Sequence, residues 1–393
     1  MSPKDRMKAA MSLGVPDRVP VMCQLSIGHY FLYSGINPID IWLTSEGFAE
    51  ALVTLQKKYS FDGILVNLPG RPPNIKSFIK NIEPYENGKK INWFNGCYTV
   101  IPNDDNPHYY HQNGLRYYPK FEEIDPEKLF YVDPWEIKEI SYPFKWGFED
   151  KNESSHNFFP SYISDTIKFV KEKAGNEISV HAEIFSPWSQ FLELLNYENA
   201  LMAIIDDPVK SKEILERLTE GAISLAKIHI HEAIDALLIS SAFAGGGLIS
   251  RDHYKEFVLP YEKKIIEQLK REYDIPIYTH TCGSIGDRLD LMLESGTNGV
   301  DTLDPPPLGT VEIKEAKQFL DNKAFIKGNI DPVNTMLLGS KEEIQKDVQT
   351  RIEIGKKNGG YILSTACSIA PSTPPENIEM LIQLSKKYGT YSL

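Results

Sequence analysis

Short apolar runs, each closing on a polar or glycine residue and followed by a helix-period pattern, recur along the chain at 19–25, 62–67, 177–183, 235–242, 276–281, 299–304, 324–327 and 360–365. Apolar runs of roughly four to eight residues between turn signals read as buried strands. Amphipathic helices are predicted at about 46–58, through about 232 ahead of the fourth run, and at about 250–272, 285–295, 311–320, 341–357 and 375–387. A parallel strand pair needs a crossover connection, so eight strands alternating with helices predict an α/β chain folded as a (β/α)8 TIM barrel. Helix starts support this parse. Asp207-Pro208 and Asp331-Pro332 each place a side-chain acceptor before a proline suited to the first helical position. Thr373-Pro374-Pro375-Glu376 has the spacing of a capping box opening the last helix.

One stretch breaks the alternation. Residues 85–160 carry 18 of the 43 aromatic residues, with Asn-Gly, Asn-Asp and proline breaks between β-prone pieces at 90–99 and 114–118. Hairpins and irregular loop after the second strand are predicted, on the side where barrel enzymes carry their sites. The stretch reads either as a lid or aromatic wall over the barrel mouth or as a subdomain whose aromatics form their own small core. The whole chain, 1–393, is predicted to be one barrel domain carrying this insertion.

Composition then narrows the partners. A formal net charge of −12 argues against nucleic acid or an anionic membrane surface. No apolar run approaches the roughly 18 residues that span a bilayer. The first residues, MSPKDRMKAAMSLGVPDRVPV, lack the apolar segment of a signal peptide. Four cysteines are too few for a disulfide framework in a chain this long, so the expected compartment is the reducing cytoplasm. Only nine arginines occur, few for gripping a polyanion.

The chemistry concentrates in Tyr278-Thr279-His280-Thr281-Cys282-Gly283 and the distant Ser364-Thr365-Ala366-Cys367. Side chains two apart on a strand share a face, so His280 and Cys282 point together. Cys367 follows the last predicted strand, and strand ends converge across a barrel mouth. Imidazole nitrogen with two thiolates is a ligand set zinc favours, and three protein ligands leave a fourth position open, as in a catalytic site. Asp304, closing the sixth strand, is a candidate fourth ligand or a partner orienting His280. Glu183, ending the third strand, is a candidate acid, base or ligand. Both also read as ordinary structural carboxylates, a loop cap and a salt bridge. Gln24, Asn67 and Ser241 occupy similar strand ends with weaker signals. His229 and His231 are two apart in a helical pattern and cannot share a face. Gly245-Gly246-Gly247 matches no phosphate or dinucleotide fingerprint. Cys23 and Cys97 have no partner at ligand spacing, and His108 and His111 lie in the aromatic stretch.

Taken together, Pro16-Asp17-Arg18-Val19-Pro20, Ile249-Ser250-Arg251, Val258-Leu259-Pro260-Tyr261, His280-Thr281-Cys282-Gly283, Gly328-Asn329-Ile330-Asp331-Pro332, Cys367-Ser368-Ile369-Ala370-Pro371 and Thr373-Pro374-Pro375-Glu376-Asn377-Ile378 resemble the uroporphyrinogen decarboxylase superfamily over most of the chain. Within it, His280, Cys282 and Cys367 match the zinc set of the cobalamin-dependent methyltransferase branch. The decarboxylase proper carries an arginine pair soon after its first strand. Here that stretch reads Cys23-Gln24-Leu25-Ser26-Ile27-Gly28-His29-Tyr30-Phe31, with no arginine between Arg18 and Arg71. The resemblance implies Zn2+ on His280, Cys282 and Cys367, and a corrinoid (methylcobalamin) carried by a partner protein. Methyl would pass from it to a zinc-activated thiol acceptor, or to it from a small-molecule donor such as an aryl methyl ether. The alternatives are a metal-free decarboxylase of the uroporphyrinogen type and a non-catalytic binding protein with structural zinc. The long 85–160 stretch departs from the thiol-methylating members and bears on which substrate is used.

Overall fold

Seven of the eight apolar runs form a curled parallel sheet in a computed structural model that describes residues 1–112, 118–132 and 158–391. In chain order the strands are β1 (Gly63–Val66), β2 (Ile79–Tyr85), β3 (Gly88–Trp93), β4 (Tyr98–Pro102), β5 (His108–Tyr110), β6 (Ser179–Phe185), β7 (Ala236–Ser240), β8 (Ile277–Thr281), β9 (Gly299–Thr302), β10 (Phe325–Ile330) and β11 (Tyr361–Thr365). The parallel sheet runs β1-β6-β7-β8-β9-β10-β11, and β2 to β5 make a separate antiparallel sheet of four. Helices Asp165–Ala174, Pro208–His231, Leu259–Glu272, Ile313–Leu320 and Lys341–Gly355 lie among the connections, and Pro375–Tyr388 closes the chain.

The first run, 19–25, forms no ladder. It makes isolated parallel bridges, Val21 with Leu363 and Leu25 with Ile369. Pro20 has no N–H to give, and the Val21 N–H goes to the Asp62 carboxylate at 2.8 Å. The segment still touches strands on both sides: the Leu363 N–H donates to Pro20 O at 2.9 Å and the Asp62 N–H to Val21 O at 2.8 Å. Asp62 is itself buried, and both Arg6 and Arg18 donate to it at 2.6–2.9 Å.

Helix starts follow local chemistry closely. Asp207 caps Pro208–His231 by accepting the Lys210 N–H at 3.0 Å. Asp331 accepts the amides of Val333 and Asn334, both at 2.8 Å, but only turns follow it; the next helix opens at Lys341 under a Ser340–Glu343 capping box. At the last helix the cap position falls on Pro374, so Thr373 sits one residue too early and the anticipated box does not form. The predicted 250–272 helix is two, Arg251–Phe257 and Leu259–Glu272, parted at Val258. Pro260 lacks the N–H that would bond back four residues, so the helix cannot run through.

The four-stranded sheet β2–β5 occupies the front of the aromatic-rich stretch, starting a few residues earlier than the predicted 85. The β-prone piece at 114–118 and the second half of the stretch lie largely outside the described residues. The loop between β4 and β5 presses on helix Ile27–Tyr33: a Cβ at Gly28 would lie 2.4 Å from Asp104 O, so only glycine permits the approach. Phe130, Tyr131, Phe158 and Phe159 pack edge to face and tilted, with centroids 4.9–6.1 Å apart.

Behind the sheet, Glu262 is 1% exposed and accepts the Tyr254 hydroxyl at 3.1 Å. Burial pushes its carboxyl up to about 7, against the opposing pull of polar contacts with Ser241 and Tyr254. The group is therefore protonated in the fold where the unfolded chain, near 4.5, is ionised. Its contribution to stability is complete below about 4.5 and is lost as pH rises through about 7. Glu262→Gln should accordingly stabilise the protein at pH 8 by up to about 3 kcal/mol and leave pH 4 stability nearly unchanged. Denaturant titrations at the two pH values check this; equal effects at both would contradict it.

Candidate metal centre

One row of in-register partners crosses four strands: Ser240 on β7, His280 on β8, Asp301 on β9 and Lys327 on β10. Neighbours in register present side chains to the same face. His280 Nδ1 meets Asp301 Oδ2 at 3.0 Å. Lys327 Nζ meets Asp301 Oδ1 at 3.0 Å and Ser364 Oγ on β11 at 3.2 Å. The other ring nitrogen, Nε2, is 3.2 Å from Cys282 Sγ, which is 4.0 Å from Cys367 Sγ. The three candidate ligand atoms all lie within 4.8 Å of one another.

Cys282 and Cys367 leave their strands one and two residues earlier, so both thiols sit just past C-terminal strand ends, partly exposed, above a buried His280. The turn that sets Cys282 is held from three sides. Its N–H donates to Ala242 O at 3.2 Å, and the Gly246 N–H donates to Ser284 O at 2.6 Å. Gly283 takes φ +76°, and its N–H donates to Asp304 Oδ2 at 2.5 Å.

Electrostatics favour charge separation here. For His280, burial alone would lower the imidazole, but Asp301 and Cys367 together outweigh it and raise it. Hydrogen bonding from Cys282, reinforced by His280, holds the Cys367 thiol well below its usual range against the opposing effect of desolvation. For Asp301, burial is outweighed by Lys327 and His280, which bring it to about 2. Zinc–sulfur bonds near 2.3 Å and zinc–nitrogen bonds near 2.0 Å in a tetrahedron separate two sulfurs by about 3.8 Å and sulfur from nitrogen by about 3.5 Å. The observed 4.0 and 3.2 Å fit that spacing, and Nδ1 is already occupied by a carboxylate, as in metal-ligating histidines generally. His280, Cys282 and Cys367 therefore fit a thiophilic dication.

The other anticipated residues fall elsewhere. Asp304 braces the Gly283 amide, and its carboxyl is raised, chiefly by burial. Glu183 lines a cavity of about 20 Å3 with Asn67 at the end of β1 and Tyr131 from the aromatic-rich stretch, room for about one water. Ser241 donates to Ser186 Oγ at 2.9 Å. Asp301 and Lys327, by contrast, carry the site and were not anticipated. The available signal was two charged residues inside strands otherwise free of charge, Gly299–Thr302 and Phe325–Ile330. The glycine triplet also has a role: a Cβ at Gly245 would lie 2.2 Å from Cys282 O, so the loop is cut to fit the turn that presents the thiol.

Fold and site together define an α/β protein with an imidazole–thiol cluster at the C-terminal ends of its parallel strands. The profile of the uroporphyrinogen decarboxylase (URO-D) family matches residues 149–388, and the chain belongs to that family. Two kinds of relative stand within it. Methylcobamide:CoM methyltransferase MtbA of Methanosarcina acetivorans is 27% identical over 226 residues, 58% of this chain and 63% of the relative. Uroporphyrinogen decarboxylase of Ruthia magnifica subsp. Calyptogena magnifica is 26% identical over 238 residues, 58% of this chain and 66% of the relative. The matched stretch thus spans less than two thirds of either relative. Among solved structures, a methyltransferase from Methanosarcina mazei superposes with a TM-score of 0.71 over 99% of both chains at 18% identity, a likeness of fold.

Gly245→Ala should push the Cys282 carbonyl and, if the cluster takes up added zinc, weaken that uptake about tenfold or more while costing about 1–3 kcal/mol of stability. Gly247→Ala is the control, because nothing lies within 4 Å of its added Cβ. Zinc competition with a chromophoric chelator reads the difference, and equal affinities in the two variants would refute the packing argument.

Proposed function

We propose that this protein is a zinc-dependent methyltransferase of a corrinoid system, moving a methyl group between a corrinoid carried by a partner protein and a small-molecule thiol acceptor or methyl donor. The observation that carries this reading is the placement of His280, Cys282 and Cys367 with their ligand atoms within 4.8 Å. The MtbA relatives support it, since by name they are methylcobamide:CoM methyltransferases. We read the seven-stranded sheet, with the extended 19–25 segment bridging β11 towards β1, as a (β/α)8 barrel. The 85–160 stretch, which contributes Tyr131 to the cavity beside Glu183, reads as an insertion over its mouth. Four free cysteines suit a reducing cytoplasm.

Bound there, zinc would hold an acceptor thiol as its thiolate or act as a Lewis acid on a methyl donor. The chain's own residues divide the remaining tasks. Cys282 and Cys367 supply two negative charges on the open side of the site. His280 offers Nε2 as a neutral ligand atom while its Nδ1–H donates a hydrogen bond to Asp301. Asp304 holds the backbone at Gly283 and so fixes where Cys282 points. Glu183 lies on β6, two strands from His280, as an acid or base for a substrate reaching that far.

A decarboxylase of the uroporphyrinogen type competes, because relatives of that name match equally well. A polycarboxylate substrate needs charge-assisted partners. Among the described residues, seven arginines donate to a protein acceptor: Asp17 and Asp62 for Arg6, Asp62 for Arg18, Trp42 O for Arg71, Glu220 for Arg217, Asp290 for Arg251, Ala244 O for Arg288 and Asp347 for Arg351, while Arg271 stands exposed 3.8 Å from Glu267. Arg71, the first after β1, is 2% exposed and packed near Trp42 and Phe48.

Metal analysis of the purified, zinc-loaded protein should find near one zinc per chain. Cys367→Ala should lose that zinc and methyl transfer to a corrinoid acceptor, by about a thousandfold or more, with an unchanged melting temperature. A chain that takes up no zinc would sink the methyltransferase reading, and unfolding on chelation would make the zinc structural.

A further inference from the structure

The row Ser240, His280, Asp301, Lys327 sits directly above another made of the same strands, Leu238, Tyr278, Gly299 and Phe325. The lower row joins Leu65, Ala236 and Ile362 in an apolar cluster. One layer higher, Asp301 and Lys327 are each 2% exposed and His280 is 6% exposed. Burying charge is costly even when paired. The bonding is also asymmetric. Asp301 Oδ1 accepts Lys327 Nζ and the Thr302 N–H, both at 3.0 Å, whereas Oδ2 faces His280 Nδ1. Lys327 is tied in turn to Ser364 at 3.2 Å.

We propose that Asp301 and Lys327 are positioning residues: Asp301 holds His280 with Nδ1 protonated and Nε2 bare towards the two thiols, and Lys327 anchors the second carboxylate oxygen and tempers how much charge reaches the imidazole. The inference rests on His280 being a metal ligand in the sense proposed above. A carboxylate behind a ligating histidine raises its donor strength. An ammonium on the same carboxylate draws that charge back. The two residues therefore act on the metal with opposite sign, which a purely structural ion pair would not do.

The test uses the full-length protein loaded with zinc, and with cobalt(II) as a spectroscopic probe. Asp301→Asn should weaken zinc binding roughly 10- to 100-fold and shift the visible cobalt bands. Lys327→Met should shift those bands the opposite way without weakening zinc, and Lys327→Arg should restore the wild-type spectrum. If Lys327→Met does not fold, the double variant Asp301→Asn with Lys327→Met buries neither charge and should bind zinc as weakly as Asp301→Asn alone. Wild-type zinc affinity and cobalt spectra in every folded variant, with only melting temperatures lowered, would overturn the inference and leave the pair structural. Failure of the wild-type protein itself to bind zinc is a separate result, and it would fall on the methyltransferase reading first.

Discussion

A carboxylate buried in the middle of a parallel sheet has to be met on both oxygens, and the way Asp301 is met organises this site. Its neighbours in the row are set by strand register, His280 on one side and Lys327 on the other. Because the register is shared, the imidazole cannot turn without breaking the carboxylate's bond, and the carboxylate cannot turn without leaving the ammonium. The only freedom left is at Nε2, which faces the thiols. Two loops then finish the site from above: the glycine-rich turn after β7 and the turn carrying Asp304 after β9 both close on the backbone around Cys282.

Much of this was legible from residue pattern alone, because the pattern reflects burial. Seven strands stand where apolar runs predicted them, and His280 and Cys282 share a face as a two-residue spacing requires. What could not be read was register. Which carboxylate stands beside His280 depends on how β8 and β9 align, and a one-residue slip would turn Asp301 outward. Asp304 seemed the natural partner because it closes the run. It is three residues on, the opposite face by simple alternation. It returns towards the site only because Thr302 and Leu303 take φ of +88° and +53°, a left-handed step that neither residue type advertises. Capping shows the same limit: Thr373 had the right spacing from Glu376, yet the cap fell one residue later, on Pro374.

Relatives of two names match this chain, a methyltransferase and a decarboxylase. A polycarboxylate substrate calls for fixed positive charge; a thiophilic dication calls for soft ligands beside an oriented imidazole. In this chain most of the described arginines are spent on structure. Arg6 and Arg18 hold Asp62 where the first segment meets β1, Arg288 carries the carbonyls of Ala244 and Ile249, and Arg71 is enclosed by helices. The buried lysine behind the site, Lys327, faces a carboxylate of the protein rather than the open side.

Charge counting connects these points. A dication held by two thiolates and a neutral imidazole carries no net charge, and the Asp301–Lys327 pair behind it adds none. A site that rests neutral can take up one anionic ligand without leaving a large uncompensated charge in a half-buried place. A lone carboxylate behind His280 would make the centre anionic before any thiolate arrived and would oppose its binding. The ammonium removes that obstacle while the hydrogen bond that orients His280 stays in place. On this argument Lys327 matters for what the centre can accept, and Asp301 for where it is held.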